Sequence, residues 1–500
     1  MKKFLICAFL LCISYYVFAQ PNWYNIRSYG AKGDSQTIDT RAINNAIDAA
    51  AAAGGGTVYF PAGNYLSTSI HLKSKITLRL EQGCTLIAAD SGLDEPEPNP
   101  AGFNYQDFGH SHWHNSLIWG ENLEDVSIIG PGKIWGRGLT RNDRPKPTQG
   151  NKAIALKLCR NVMLKDFSLL YGGHFGLLAT GVDHLTIDNV MMDTNRDGMD
   201  IDGCQNVRVA NCAINSPWDD GICLKSSYAL GYARPCENIT ITNCNVSGFD
   251  RGTFANGTYQ RKEAHLVPDH EGPTGRIKFG TESNGGFKNI AISNCTFQFC
   301  RGLALETVDG GVLEDVTISN ITMRDIGNSP IFLRLGARMR GPANVPVGSL
   351  KRIIISNLMV YNADSHFSSL ISGIPGHDIE DVQLNNIRIY YRPIDSAVSK
   401  IQQVVPENEK QYPEPEKFGI LPAYGFFIRH AKNIKLNNIE VSYIGAETRI
   451  PILLDDVKGV TLNQVKAQVP AGQPMYKLHQ VSGFEIIPAK SVSKKLIVVE

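Results

Sequence analysis

The feature that most constrains this chain is a short motif that keeps returning: an alternating strand that ends in Asn. It runs Leu185-Thr186-Ile187-Asp188-Asn189, Val207-Arg208-Val209-Ala210-Asn211, Ile239-Thr240-Ile241-Thr242-Asn243 and Ile290-Ala291-Ile292-Ser293-Asn294, and continues to Asn320, Asn357, Asn386 and Asn438. Successive Asn positions lie 22 residues apart at the shortest (189 to 211), with longer gaps where loops intrude. A unit this short cannot bury its own apolar face and must stack on its neighbours. Strict alternation makes the unit a strand, and Asn accepts the left-handed turn between two strands of one coil. Stacked Asn side chains can also pair with the Asn above and below. The expected fold is therefore an all-β parallel solenoid, one repeat per coil, with variable loops on one side. A length of 500 residues, long for one ordinary globular core, suits a body that grows along one axis.

Before the repeats, Lys2-Lys3, the apolar run Phe4 to Phe18 and Val17-Phe18-Ala19 read as a secretory signal cleaved after Ala19. Residues 20–500 then form a single domain that is periplasmic or secreted. From Asp39 to Ala53 the residues Ala42, Ile43, Ala46, Ile47, Ala50 and Ala51 make one helical stripe, ended by Gly54-Gly55-Gly56. This short helix, within a cap of about 36–56, is placed to cover the open N-terminal end of the solenoid. Insertions are expected at about 249–273 and 393–418, the second rich in Pro and Glu.

A net charge of +1 with 19% charged residues gives no global field for nucleic acid, and no later stretch is apolar for long enough to span a bilayer. The mature chain keeps nine cysteines. An odd count argues against a full disulfide framework. Cys212, Cys244 and Cys295 each follow an Asn and read as inward-facing small hydrophobes. No Cys/His spacing supports a metal site, and no cofactor is implied.

The chemistry concentrates in Asn195-Arg196-Asp197-Gly198 and Asp219-Asp220-Gly221. Asp197 and Asp219 are 22 residues apart, one coil, so their carboxylates should sit on neighbouring rungs roughly 4.8 Å apart. In a flat strand Asp219 and Asp220 would point to opposite faces, so a bend at Gly221 is needed to aim both at one site. Three close acids cannot all ionise freely, which leaves a proton donor beside an acceptor. Glycoside hydrolysis needs that pair. The bland alternative is that each Asp merely caps a turn.

With these residues in place, the chain resembles glycoside hydrolase family 28, the polygalacturonase and rhamnogalacturonase group of right-handed parallel β-helices. Asn195-Arg196-Asp197-Gly198 is similar to the family's Asn-Thr-Asp-Gly, and Asp219-Asp220 to its Asp-Asp pair. The resemblance implies that Asp219 is the general acid, that Asp197 and Asp220 activate water in an inverting displacement, and that no metal takes part. Inversion rests on the resemblance alone, because the rung spacing is shorter than the about 6.5–9.5 Å usual for inverting pairs.

Two family signatures are missing. Phe279-Gly280-Thr281-Glu282 resembles the segment after the family's Gly-His-Gly, which places Thr274-Gly275 on that motif without its His. The family's Arg-x-Lys rung then falls on Gly302 to Thr307, where Ala304 and Glu306 replace both bases. Arg276-Ile277-Lys278 looks like the lost pair but reads as a decoy. An acid at 306 would repel a galacturonate carboxylate, so Glu306 is expected to accept hydrogen bonds from a neutral or deoxy sugar, or else to turn outward. Arg276, Lys278, Lys225, Arg334, Arg338 and Arg340 remain as possible binders of an acidic glycan elsewhere in the cleft, since Arg suits a bidentate grip on a carboxylate. His110-Ser111-His112-Trp113-His114 reads as a loop at the cleft rim, with Trp113 free to stack on sugar.

The expected function is hydrolysis of an α-linked pectin-type polysaccharide by a monomer. A rhamnogalacturonan or related branched acidic glycan is favoured over homogalacturonan, and the insertions hint at exo action. Two other classes stay open: a polysaccharide lyase using calcium on the Asp cluster, and a non-catalytic carbohydrate-binding β-helix.

Overall fold

In the computed structural model the described residues are 22–98, 108–139, 151–262, 272–394, 400–487 and 497–499. The expected signal, residues 1–19, lies outside them. The chain winds into a right-handed parallel β-helix, and every pairing between its named strands is parallel. Three columns of strands run its length. The column that carries the site includes Lys152–Lys157, Phe175–Thr180, Asp197–Asp202, Ile222–Ser226, Ile277–Ser283, Leu303–Thr307, Ile331–Leu335 and Ser369–Ser372, each hydrogen-bonded to the next. Along each strand alternate side chains enter the interior, where Met199, Ile222, Ile277, Leu303 and Ile331 form one buried file. Each such side chain contributes about 1.5–3 kcal/mol by leaving water.

The repeat's Asn residues do what their type permits. Asn189, Asn211, Asn243, Asn294, Asn320, Asn357, Asn386 and Asn438 all adopt left-handed backbone with φ between 52° and 58°. Their amides form a ladder: Asn357 donates to Asn320 at 2.9 Å, Asn386 to Asn357 at 2.7 Å and Asn438 to Asn386 at 3.0 Å. Cys212, Cys244 and Cys295 are buried in the core, and all nine cysteines from Cys84 to Cys300 are free thiols.

The helix Thr40–Ala52 closes the N-terminal end with Ala42, Ile43, Ala46, Ile47 and Ala50 buried. Asp39 precedes it but does not cap it. Its carboxylate instead accepts from the Lys32 and Gly33 amides at 2.7 and 3.0 Å, which ties the chain ahead of the helix to its start. Among the described residues no helix is long and apolar enough to cross a membrane.

Candidate active site

Asp197 opens the strand Asp197–Asp202, while Asp219 and Asp220 lie in the bend just before Ile222–Ser226. Because Met199 pairs with Ile222, Asp220 falls beside Asp197 one rung on. The bend lets consecutive acids share one site: an oxygen from each of Asp197, Asp219 and Asp220 lies within 4.8 Å of the others. Two glycines make this approach possible. A Cβ on Gly198 would overlap the Gly221 carbonyl and the Ile214 side chain. At Gly221 a Cβ would come within 3.3 Å of the Gly275 and Arg276 carbonyls.

Each acid has its own surroundings. Asp197 is buried, and burial together with the nearby Asp200 and Asp219 carboxylates pushes its carboxyl well above the usual range. Asp219 is partly exposed. Burial pushes it upward too, but Arg196, donating to its Oδ2 at 2.7 Å, outweighs this and holds it below the ordinary carboxylate range. Arg196 also donates to His174 Nδ1 at 2.9 Å. That nitrogen must accept, because a guanidinium has no lone pair to offer, and burial followed by the Arg196 charge keeps His174 neutral. Asp220 receives Arg276 Nε at 2.8 Å and has Lys278 Nζ at 3.4 Å. The two carboxyls are therefore pushed apart: Asp197 holds its proton more tightly than an ordinary Asp, and Asp219 less tightly.

The basic residues around the trio are held by acids and carbonyls of the protein. Arg276 and Lys278 stand one rung beyond Asp220 and hold it: the strand Ile277–Ser283 follows Ile222–Ser226 in the site column and Leu303–Thr307 follows it in turn, the rung order that motif matching gave. Ala304 lies directly beyond Lys278 in register. Glu306 neither turns outward nor reaches sugar. It has 0% exposure, sits 3.7 Å from Lys278 Nζ, and burial pushes its carboxyl up to about 8, where it is mostly protonated at neutral pH.

Lys225 is buried between Asp200 at 3.6 Å and Glu282 at 3.1 Å. Arg334 is buried with its guanidinium on the carbonyls of Gly373, Glu407 and Asn408. Arg338 pairs with Asp309, donating from Nε at 3.0 Å, and Arg340 pairs with Glu282. These four cations are committed to protein partners, which corrects the expectation that they grip glycan.

Trp113 is a further correction. It is 3% exposed, packs with Ala155, Phe175 and Leu178, and its Nε1 donates to Thr180 at 3.0 Å. His110 Nε2 sits 3.2 Å from Asp200, and His114 stacks on Trp119.

Sequence reasoning missed His174, Arg196, Tyr412, Glu414 and Arg301. The first two lie two rungs and one rung before Asp219, 22 residues separating His174 from Arg196 and 23 separating Arg196 from Asp219, and were readable from the repeat. Glu414 was not, because it comes from the loop after Ile379–Tyr391, 138 residues from its partner Arg276. That loop, the expected second insertion, lies along a cleft of about 1230 Å³ lined by Arg196, Asp219, Arg276, Lys278, Tyr412 and Glu414.

A parallel β-helix with clustered carboxylates at an open cleft defines the class: the chain is a glycoside hydrolase of the β-helix type. The sequence profile of glycosyl hydrolases family 28 matches residues 60–253, and one for rhamnogalacturonase A/epimerase, pectate lyase-like, matches residues 23–85. A probable polygalacturonase of Vitis vinifera is 26% identical over 373 residues, covering 67% of this chain and 73% of that protein. An exo-poly-α-D-galacturonosidase of Dickeya chrysanthemi is 30% identical over 209 residues, which is 41% of this chain and only 34% of that relative. The solved structure of a family 28 exopolygalacturonase from Yersinia enterocolitica superposes with a TM-score of 0.66 at 19% identity, covering 88% of this chain and 78% of that one, and shows the shared fold. The chain is a glycoside hydrolase that is similar to family 28 over residues 60–253, and it is polygalacturonase-like.

Proposed function

We propose that this protein is an exported, inverting hydrolase of a pectin-type polysaccharide in which neutral sugars alternate with galacturonate, in preference to unbranched galacturonan. The observation that carries the hydrolytic reading is the trio itself, three carboxyls within 4.8 Å of one another, with Asp197 shifted toward keeping its proton and Asp219 toward losing it. Interacting carboxyls this close titrate as a pair. One proton is shared between Asp197 and Asp219, resting on Asp197. By family resemblance Asp219 donates it to the leaving glycosidic oxygen, so binding must move the proton across. Asp220, held by Arg276 and Lys278, stays with Asp197 on the water side. The loss of a proton from water to the trio balances the proton given to the leaving group.

The substrate preference is supported by the cations. Arg276 and Lys278 are engaged by Asp220, which leaves no open basic pair beside the trio among the described residues to grip a uronate. The same pairing disfavours the lyase reading. A calcium ion on the trio would have to compete with Arg196, Arg276 and Lys278, all within 3.4 Å of its would-be ligands.

The test is a panel of pectic oligosaccharides read by reducing sugar and mass, with wild type and Asp219→Asn. The expected result is saturated product from alternating oligomers and a loss of about 10²–10⁴-fold in kcat for the variant, the range for a general acid. An unsaturated product absorbing in the ultraviolet and dependent on calcium would overturn it in favour of a lyase. No turnover on any member, unchanged by the variant, would favour the binding protein. Export is supported by the N-terminal apolar run, and a mature product beginning at Gln20 is its check.

A further inference from the structure

Glu414 reaches into the cleft from a loop remote in sequence and occupies the cationic place beside the catalytic trio. Its Oε1 receives Arg276 Nη2 at 2.7 Å and lies 3.9 Å from Lys278 Nζ, while its Oε2 receives Arg301 Nη1 at 2.7 Å. Two guanidinium groups converging on one carboxylate is the geometry that would capture a uronic acid. Here the protein fills it with its own acid. Glu416, two residues on, pairs with the far side of Arg301 and accepts from Asn328 at 3.2 Å.

The arrangement is held from several directions. Arg334 and Arg429 bind the main chain of the same loop at 405–408, Arg429 donating to the Val405 carbonyl at 3.0 Å. Phe418 and Leu421 pack with Ala304, Phe332 and Leu370 on the outer face of the site column. Tyr412, 47% exposed, lays its ring 5.4 Å from Lys278 Nζ and offers an apolar face toward the cleft. Loop and rungs are one packed unit.

The chemical consequence is selective. A sugar carboxylate entering beside Asp220 meets Glu414 at like charge, with both guanidinium groups already paired to carboxylates. A sugar without a carboxylate meets only hydroxyl-competent groups and the Tyr412 face. We infer that Glu414 is a specificity-determining residue: it excludes a uronate from the subsite next to Asp220 and so selects a neutral sugar there. This rests on the hydrolase reading above and deepens it. Further along the same cleft Lys400 is exposed and suits a uronate lying further from the cut, while Arg261 and Arg392 beside it pair with Asp325 at 2.9 Å and Asp364 at 3.5 Å.

The experiment compares wild type with Glu414→Gln, which keeps shape and removes the charge. Hydrolysis of galacturonate oligomers and of alternating galacturonate–rhamnose oligomers is measured on both, alongside calorimetric titration with galacturonic acid. Expected for Glu414→Gln is a rise of tenfold or more in kcat/KM on the galacturonate oligomer relative to the alternating one, and tighter binding of galacturonic acid that weakens with salt. If the variant loses activity on both substrates in equal proportion and binds galacturonic acid no better, Glu414 is a structural anchor and the inference fails. Glu414→Ala, with thermal melts, separates this from a folding defect: it too must gain galacturonic acid affinity if it melts as wild type does. Should no oligomer be cleaved by wild type, the hydrolase reading fails, and the titration alone still decides whether Glu414 bars a carboxylate.

Discussion

Arg196 donates to Asp219 at 2.7 Å and, with its other terminal nitrogen, to His174 at 2.9 Å. The three residues occupy successive rungs, so the helical repeat itself builds the relay His174, Arg196, Asp219. Where the family resemblance has Thr, this chain has Arg, and the substitution sets the charge of the residue assigned as acid.

Removing Arg196 should therefore move a pH limb. Arg196 favours ionised Asp219, so its loss raises the affinity of Asp219 for a proton. A donor works only while protonated, hence Arg196→Gln should extend activity to higher pH. Opposite charges at this range lower a carboxyl by about 1–3 units, so the alkaline limb of kcat should rise by about one unit. A fall in kcat at every pH without a shifted limb would show that Arg196 only shapes the site.

Glu306 gives a second pH signature, in stability. Its folded carboxyl titrates at about 8, well above an unfolded Glu at about 4.3. Between those values the native state binds the extra proton, so stability falls as pH rises from about 4.3 and levels off above about 8. Glu306→Gln, neutral at every pH, escapes that loss. Melting temperatures of the two proteins should be close near pH 4, and the variant should gain steadily up to pH 8. Parallel curves across this range would show that Glu306 is not protonated in the fold.

The repeat's period, the capping helix and the acids of the site were legible because each depends on residues near one another in sequence or one coil apart. Asp197 and Asp220 meet through a 23-residue register, one residue off the 22-residue spacing that pairs Asp197 with Asp219, so the coil was legible and the exact neighbour was not. Motif matching put Arg276 and Lys278 on the rung they occupy, but it did not show that both bases turn onto Asp220, because their partner lies across an insertion. Glu414 and Arg334 were illegible for a different reason: a Pro- and Glu-rich loop reads as solvent-facing, and nothing local says that its acid folds back onto arginines from distant rungs. Trp113 failed through its Nε1, since Thr180 satisfies the one polar atom that makes burying an indole costly.

Gly198 offers a test of the close approach between rungs. A Cβ there would strike the Gly221 carbonyl and Ile214, so Gly198→Ala must push apart the two rungs that carry Asp197 and Asp220. Overpacking of this kind costs about 1–3 kcal/mol. The expected variant melts lower and loses most of its turnover, whereas Gly327→Ala, with open space around its Cβ, should match wild type in melting. Equal melting for both variants would mean that the glycine at 198 is not a spacing requirement.

Arg334 should be the tie that keeps the long loop against the rungs. Its guanidinium donates to Glu407 O at 2.7 Å and Asn408 O at 3.0 Å on the loop, and to Ser372 Oγ at 2.8 Å on the neighbouring rung. Truncation removes the donor from two part-buried loop carbonyls, a net hydrogen bond to a charged group contributing about 1.5–3 kcal/mol, and most of that loss falls on the loop because the strand Ile331–Leu335 keeps its own ladder. Arg334→Ala is therefore expected to expose residues 400–420 to trypsin, with cleavage at Lys410 or Lys417 before any cut in the β-helix. Since the same loop carries Glu414, the nicked or loosened protein should also gain affinity for galacturonic acid, as Glu414→Gln does. A loop that resists trypsin in Arg334→Ala would show that Arg429 and the packing of Phe418 hold it unaided.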